Sequence, residues 1–149
     1  MKNILSNKYI LLLSRLVIGF IFIYAGMEKI SDPNGFARSI NNYKLLPLFL
    51  INISAIILPW IEVVTGILLI FGISVKENSF IISFLLGIFV LAIAISLIRG
   101  LNIDCGCFGT MRGEQVGIQK LGENFLLILL GIQLIIFGSG DLSLSRKIN

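Results

Sequence analysis

The sequence predicts an all-α membrane protein, a bundle of four transmembrane helices with a short interfacial helix in the first loop. Of its 149 residues, 56% are hydrophobic and 13% are charged, whereas soluble domains are about half apolar and a quarter charged. The mean hydropathy is +0.99. Four apolar stretches, separated by short polar segments, approach the roughly 20 residues that a helix needs to cross a bilayer.

The predicted spans are approximately residues 9–27, 48–73, 79–98 and 124–138. They leave room for one membrane domain over residues 1–149. The first span follows two basic residues, Lys2 and Lys8, and in this respect resembles a signal peptide. It is too long for a signal-peptide core, and Ile23 stands where cleavage after Ala25 needs a small residue. We therefore interpret it as a retained helix.

The first loop contains signals for a short helix. Asp32 can cap its N-terminus and Pro33 can occupy its first position. Its residues divide into an apolar and a polar face, with Phe36, Ile40 and Tyr43 on one side and Arg38, Asn41 and Asn42 on the other. This pattern is typical of a helix that lies in the membrane interface. Pro47 ends the segment and opens the second span.

Proline and glycine also mark positions inside the spans. Pro59 cannot donate a hydrogen bond to the carbonyl of Ala55, so we expect a kink in the second helix. Glycines let helix backbones approach closely in membranes. We expect this role for five of them, at Gly19, Gly26, Gly66, Gly87 and Gly131.

The formal charge of +4 does not point to a partner, because basic residues at membrane edges serve topology and lipid headgroups first. No basic cluster suggests nucleic acid binding. Lys and Arg are divided almost evenly between the two sides of the predicted topology, so charge does not settle the orientation. An even number of spans places both termini on one side, and the first and third loops on the other.

Both cysteines lie in one turn of the third loop, residues 99–123, within the string Asp104-Cys105-Gly106-Cys107-Phe108-Gly109. Residues two apart lie near the upper end of the distance that a disulfide bridges, so such a bond is strained and easier to reduce. Asp104 would raise the thiol pKa or, if protonated, shuttle a proton. The basic residues of this loop would favour a thiolate, and these are Arg99, Arg112 and Lys120.

A structural disulfide or two unreactive thiols would explain the same pair. Metal binding is not expected, because a closed zinc site needs four ligands and an iron–sulfur cluster needs four thiolates. The chain has 2 cysteines and 0 histidines. The candidate redox residues are therefore Cys105 and Cys107, with Asp104 beside them.

Two charged residues fall inside predicted spans, where charges are costly and need a partner or a polar cavity. Arg15 is near enough to the membrane edge to extend to the headgroups, but Glu62 is too deep for that. Thr65 lies one turn beyond Glu62. Together these residues could hold a quinone headgroup or a proton, although a Glu62–Arg15 ion pair would explain them without a ligand. Glu28, Lys29 and Glu123 fit interfacial anchoring.

Several short motifs occur along the chain: Arg15-x-x-x-Gly19-Phe20, Tyr24-Ala25-Gly26-x-x-Lys29, Asp32-Pro33, Phe36, Asn42-Tyr43, Pro47, Leu58-Pro59-Trp60-Ile61-Glu62, Gly66 and the Asp104–Gly109 string. With these motifs the sequence resembles the DoxX-like membrane proteins, and especially the branch that is similar to the methylamine utilisation protein MauE. The likeness covers about residues 9–138.

The resemblance implies a four-helix membrane bundle that acts in redox maturation of extracytoplasmic proteins, often with a thioredoxin-like partner. For the MauE-like branch it implies disulfide formation or electron supply during maturation of an amine dehydrogenase. The wider DoxX-like group includes proteins linked to quinone reduction. Carried to this chain, it supports Cys105 and Cys107 as the redox pair.

The functional expectation is a thiol–disulfide redox protein of the bacterial inner membrane that exchanges electrons with a thioredoxin-like partner. A quinone is the candidate electron partner, and no other cofactor is expected. The termini are expected in the cytoplasm and the cysteine loop outside it, because disulfides persist in oxidising compartments. The alternative is a non-enzymatic membrane anchor or small-molecule binding subunit with a structural disulfide. Transport of a small solute is disfavoured, because few polar residues could line a path.

Overall fold

A computed structural model describes residues 7–100 and 118–138, and within these ranges the chain forms helices without strands. The helices are α1 (Lys8–Ser31), α2 (Pro33–Asn42), α3 (Leu48–Phe71), α4 (Val75–Ile98) and α5 (Ile118–Phe137). The predicted all-α class is confirmed. Helices α1, α3 and α4 each have 24 residues and are apolar enough to cross a membrane, while α5 contains a shorter apolar stretch, Leu121–Phe137. The fourth span stays a prediction.

The end of α3 differs slightly from the predicted boundary because of a glycine cap. Gly72 has a φ of 73°, in the left-handed region that favours glycine, and its N–H is bonded to carbonyls of the last turn of α3. The next helix starts at Val75, four residues before the predicted span, because Asn78 donates its side-chain amide to the carbonyls of Ile73 and Ser74. The connection between α3 and α4 is therefore a tight turn.

The four long helices form two closely packed pairs, α1 with α3 and α4 with α5. A Cβ atom on Gly26 would lie 2.8 Å from the carbonyl oxygen of Pro59, and one on Gly66 would lie 2.9 Å from that of Gly19. The predicted packing role is therefore confirmed for these three glycines, and for Gly131, which contacts Ser83. It is wrong for Gly87, whose Cβ position faces open space.

One apolar core joins all four long helices. Its buried members are Leu11, Ile18, Phe22, Leu69, Val75, Ile82, Leu86, Leu127 and Leu134. The outer surface is also apolar, with Phe20, Trp60 and Phe84 each about three-fifths exposed. Large apolar side chains cover an outer face in this way when the surrounding solvent is lipid. The protein is therefore an integral membrane protein. Pro59, which the sequence predicts to kink the second span, lies inside α3 and does not end the helix.

The interfacial helix predicted in the first loop is α2. Asp32 Oδ1 accepts a hydrogen bond of 2.9 Å from the backbone N–H of Gly35, and Pro33 is the first helical residue. The predicted apolar face is buried, and Phe36 and Ile40 pack against Ile51 and Ala55 of α3. The predicted polar face, with Arg38, Asn41 and Asn42, is exposed. Helix α2 therefore covers the first half of α3.

Asp32→Ala is expected to lower the free energy of unfolding by about 1 kcal/mol, because it removes the side-chain cap of α2. Unfolding in mixed detergent micelles measures this loss. Asn34→Ala is the matched control, since Asn34 is exposed on the same helix and near the same end. An equal loss in both variants would contradict the capping role.

Candidate functional site

A buried ion pair joins Lys29 of α1 to Glu62 of α3. The Nζ atom of Lys29 lies 2.6 Å from Oε1 and 2.8 Å from Oε2 of Glu62. The two side chains are 0% and 4% exposed. Lys29 is therefore not the interfacial anchor that the sequence suggested. The alternative pair of Glu62 with Arg15 is also wrong, because the carboxylate is bonded to Lys29.

The glycine contacts between α1 and α3 set the register that brings this pair together. Lys29 follows Gly26 by three residues, and Gly66 follows Glu62 by four. Residues three or four apart share one face of a helix, so each charge lies on the face where its helix meets the other. This spacing was the sequence signal for Lys29. The meaning of this spacing becomes clear only when α1 is known to pack against α3.

Two phenylalanine rings complete the surroundings of the ammonium group. The Nζ atom of Lys29 is 5.0 Å from the centroid of Phe36 in α2 and 5.2 Å from that of Phe89 in α4. A cation this close to an aromatic ring is attracted by the negative face of the ring. Four of the helices thus contribute to one site. Its polar atoms are bonded to each other and shielded from lipid.

We expect the pair to specify the arrangement of α1 and α3 more than it adds to their stability. Moving two charges out of water costs several kcal/mol for each ion, and their attraction offsets this cost only when the geometry is good. In the membrane interior, a single unpaired charge is costly as well. Lys29 and Glu62 therefore penalise any packing of α1 against α3 that separates them.

Arg15 lies at the other end of α3 and closes its C-terminus. Its Nε donates to the carbonyl of Leu69 at 3.1 Å, and its Nη2 donates to that of Ile70 at 3.0 Å. The last carbonyls of a helix lack partners within the helix and carry partial negative charge. The residue is 1% exposed, so it does not extend to the headgroups. The guanidinium group also lies against Gly72.

The three residues predicted to bind a quinone do not form one cluster. Leu69, to which Arg15 is bonded, is seven residues from Glu62 along α3, which is about 10 Å at the helical rise. Thr65 is buried one turn from Glu62, and its hydroxyl donates to the carbonyl oxygens of Ile61 and Glu62 within its own helix. Quinone binding by Glu62, Thr65 and Arg15 stays a prediction.

The predicted redox residues Asp104, Cys105 and Cys107 lie outside the described residues. The described chain stops before them at Gly100, next to α2. There, Arg99 Nη1 donates to the carbonyl of Tyr43 at 3.4 Å. The chain is described again from Ile118, where α5 begins. Helix α5 is antiparallel to α4, since Gly131 lies against Ser83 and Gly138 against Lys76, so Gly100 and Ile118 both lie at the end of the bundle that carries α2.

A family model described as "Methylamine utilisation protein MauE" matches residues 7–137, most of the chain. The chain belongs to the MauE family. The match includes the ion pair, helix α2 and the Asp104–Gly109 string. The MauE-like resemblance seen in the sequence is confirmed, whereas the wider DoxX-like assignment stays a prediction.

Individual relatives agree with this family. The MauE-family chain is 26% identical over 133 residues to methylamine utilization protein MauE of Paracoccus denitrificans, covering 89% of this chain and 72% of the relative. It is 30% identical over 108 residues to that of Methylophilus methylotrophus, covering 72% and 57%. It is 28% identical over 139 residues to protein TlpB of Flavobacterium psychrophilum, covering 87% and 37%.

This MauE-family chain therefore spans between 57% and 72% of these two MauE relatives, and 37% of TlpB. No solved structure matches the chain.

Proposed function

We propose that this chain is a membrane thiol–disulfide redox protein that exchanges electrons with a thioredoxin-like partner during maturation of other proteins. One observation carries the proposal. The family match extends across the segment in which both cysteines stand two residues apart. Thiols at this spacing can alternate between a dithiol and a strained, readily reduced disulfide.

The proposed exchange takes place in two steps. A thiolate of the Cys105/Cys107 pair attacks a disulfide of the partner, forms a mixed disulfide and releases a partner thiolate. The thiolate of the second cysteine then attacks the mixed disulfide and releases the other partner thiolate. The partner gains two electrons, and the pair becomes a disulfide. The same steps in reverse oxidise the partner, so the electron supply sets the direction.

The ends of the described helices support a position for the pair near the membrane edge. Cys105 is five residues from Gly100, so their Cα atoms can be separated by at most about 18 Å. Arg99, next to Gly100, is bonded to the carbonyl of Tyr43 at the end of α2. We place this side of the bundle outside the cytoplasm, with the termini in the cytoplasm of a bacterial inner membrane, because disulfides persist in oxidising compartments.

A second redox partner follows from the stoichiometry. One pair of thiols stores two electrons, so the pair needs another donor or acceptor to return to its starting state. We propose a membrane quinone for this role, since it is a two-electron carrier within reach of a bundle embedded in lipid. Glu62, Thr65 and Arg15 remain the residues predicted for it.

Replacing Cys105 and Cys107 with serine is expected to abolish thiol exchange. Alkylation of thiols in intact cells, with and without a reductant, measures the redox state of the wild-type pair, which should change with the reductant. Single serine variants should accumulate a mixed disulfide with a partner, and mass spectrometry should identify a thioredoxin-like protein. Glu77→Gln is the control, because Glu77 is exposed in the first turn of α4 at the opposite end of the bundle.

Two results together would contradict the proposal. One is a wild-type pair that stays in a single redox state under all conditions. The other is a double serine variant in which partner proteins are oxidised normally. If a partner still copurified with that variant, the chain would instead be a membrane anchor or binding subunit whose disulfide only holds the loop.

A further inference from the structure

A cleft of about 420 Å³ lies between α2, α3 and α4, within the range of small-molecule sites in proteins. Its walls include Ile40 of α2, Tyr43 just after α2, Leu58 of α3, and Leu85, Phe89 and Ile95 of α4. Its lining residues with polar side-chain atoms are Tyr43 and Ser54. The cleft is therefore suited to a long hydrocarbon chain and unsuited to a polar group at depth.

The cleft runs from the middle of α3 and α4 to the α2 side of the bundle. Leu85 and Leu58 lie towards the middle of their helices, whereas Ile95 and Tyr43 lie near the α2 side of the bundle. Burial raises the pKa of the Tyr43 phenol to about 12, so this residue is neutral at physiological pH. The residues that line the cleft therefore carry no charge, from its inner end to its rim at Tyr43 and Ile95.

Positive charge begins immediately beyond the rim. Arg99 follows Ile95 by one helical turn and is bonded to the carbonyl of Tyr43, and Lys44 is the next residue after Tyr43. Both Arg99 and Lys44 are exposed. An apolar channel that runs inward from two exposed cations is complementary to a molecule with an anionic headgroup and a hydrocarbon tail.

We propose that this cleft binds an anionic phospholipid. One acyl chain occupies the space between α3 and α4, and the phosphate lies at Arg99 and Lys44. The orientation matches the bilayer, since the headgroup stays at the membrane edge while the chain runs towards its centre. The proposal goes beyond thiol exchange and does not depend on it, because neither cysteine takes part.

The buried ion pair does not contribute to this site. Phe89 lines the cleft and also contacts the ammonium group of Lys29. Because Lys29 is completely buried, the ring separates the ligand from the pair. The headgroup must therefore be recognised at the rim, which makes Arg99 and Lys44 the specificity-determining residues.

The test uses the full chain purified in detergent and depleted of lipid. Native mass spectrometry, with phosphatidylglycerol or phosphatidylcholine of identical acyl chains as probes, gives the affinity for each. We expect a preference for phosphatidylglycerol. Lys44→Gln and Arg99→Gln should each reduce that preference about fivefold, the effect expected for one basic residue near an anionic headgroup. Arg38→Gln is the matched control, because Arg38 is exposed on the opposite face of α2.

A second pair of variants tests the cleft itself. Ser54→Trp places a large ring in the cleft and should abolish binding of both lipids, whereas Ile53→Trp, at a residue that is exposed and outside the lining, should leave binding unchanged. Equal binding of the two lipids to wild type would overturn the headgroup assignment. Undiminished binding to Ser54→Trp would overturn the cleft assignment. The glutamine variants alter exposed residues, so they report on the headgroup even if Ser54→Trp does not fold.

Discussion

Lys29→Met is expected to lower the free energy of unfolding by about 3–5 kcal/mol, the usual cost of removing one partner from a buried ion pair. The cause is the charge left behind. Glu62 would be a buried carboxylate among apolar side chains, without the two short bonds that it now accepts from Nζ. Methionine keeps much of the length of the lysine stem, so the loss reports on charge more than on packing.

The double variant Lys29→Met, Glu62→Leu should recover most of this loss, because a buried ion pair can often be replaced by apolar residues of similar volume. Unfolding by SDS titration in mixed micelles gives the free energies of all variants. Lys76→Met is the control and should change stability by less than about 0.5 kcal/mol, since Lys76 is exposed. A double variant as unstable as Lys29→Met would show that the charge of Glu62 is not the cause.

The same double variant distinguishes structure from chemistry. If the ion pair only sets the helix register, a well-folded double variant should still carry out the thiol exchange proposed above. If exchange is lost while the fold is intact, the pair takes part in the reaction. The comparison requires both measurements on one preparation.

Gly26→Leu is expected to lower the free energy of unfolding by about 3 kcal/mol, at the upper end of the usual cost of overpacking a close contact. A side chain at this position would start 2.6 Å from Val63 Cγ2 and 2.8 Å from the carbonyl oxygen of Pro59. The carbonyl belongs to the backbone of α3 and cannot rotate away. The helices would have to separate next to Lys29, which would also strain the ion pair.

Gly87→Leu is the matched control for this substitution. The same side chain is introduced into a membrane helix at a glycine, but nothing lies within 4 Å of the Cβ position. Its effect should be neutral or slightly stabilising, since leucine favours the helix over glycine by up to about 1 kcal/mol. The same SDS titration measures both variants. Equal destabilisation of the two would contradict the close approach of α1 and α3.

Local signals in the sequence predicted most of the helices. The long apolar runs predicted α1, α3 and α4, and Asp32 with Pro33 predicted where α2 starts. These features act over a few neighbouring residues, so they can be recognised without knowledge of the fold. The starts of α4 and α5 were predicted too late, because their first turns contain polar residues such as Asn78 and Gln119.

The partners of the charged residues could not be predicted in the same way. By position alone, Lys29 is a lysine near a helix end, where lysines usually reach the interface, and Arg15 and Glu62 are two opposite charges inside spans. Which charged side chains meet depends on the register of α1 relative to α3, and the close glycine contacts between these helices fix that register. The positions of the glycines in the sequence were not enough to predict the helix contacts, since Gly87 makes no close contact with another helix.

The arrangement of the long helices in two pairs has a consequence for how the protein is made. Lys29 and Glu62 both belong to the first pair, so their charges can neutralise each other within that pair, before α4 packs against it. An unpaired charge would be costly in the membrane during that interval. Phe89 belongs to the second pair and covers the ion pair from outside, so the two charges can meet without this ring. The order of the helices along the chain thus allows these two charges to pair before the bundle is complete.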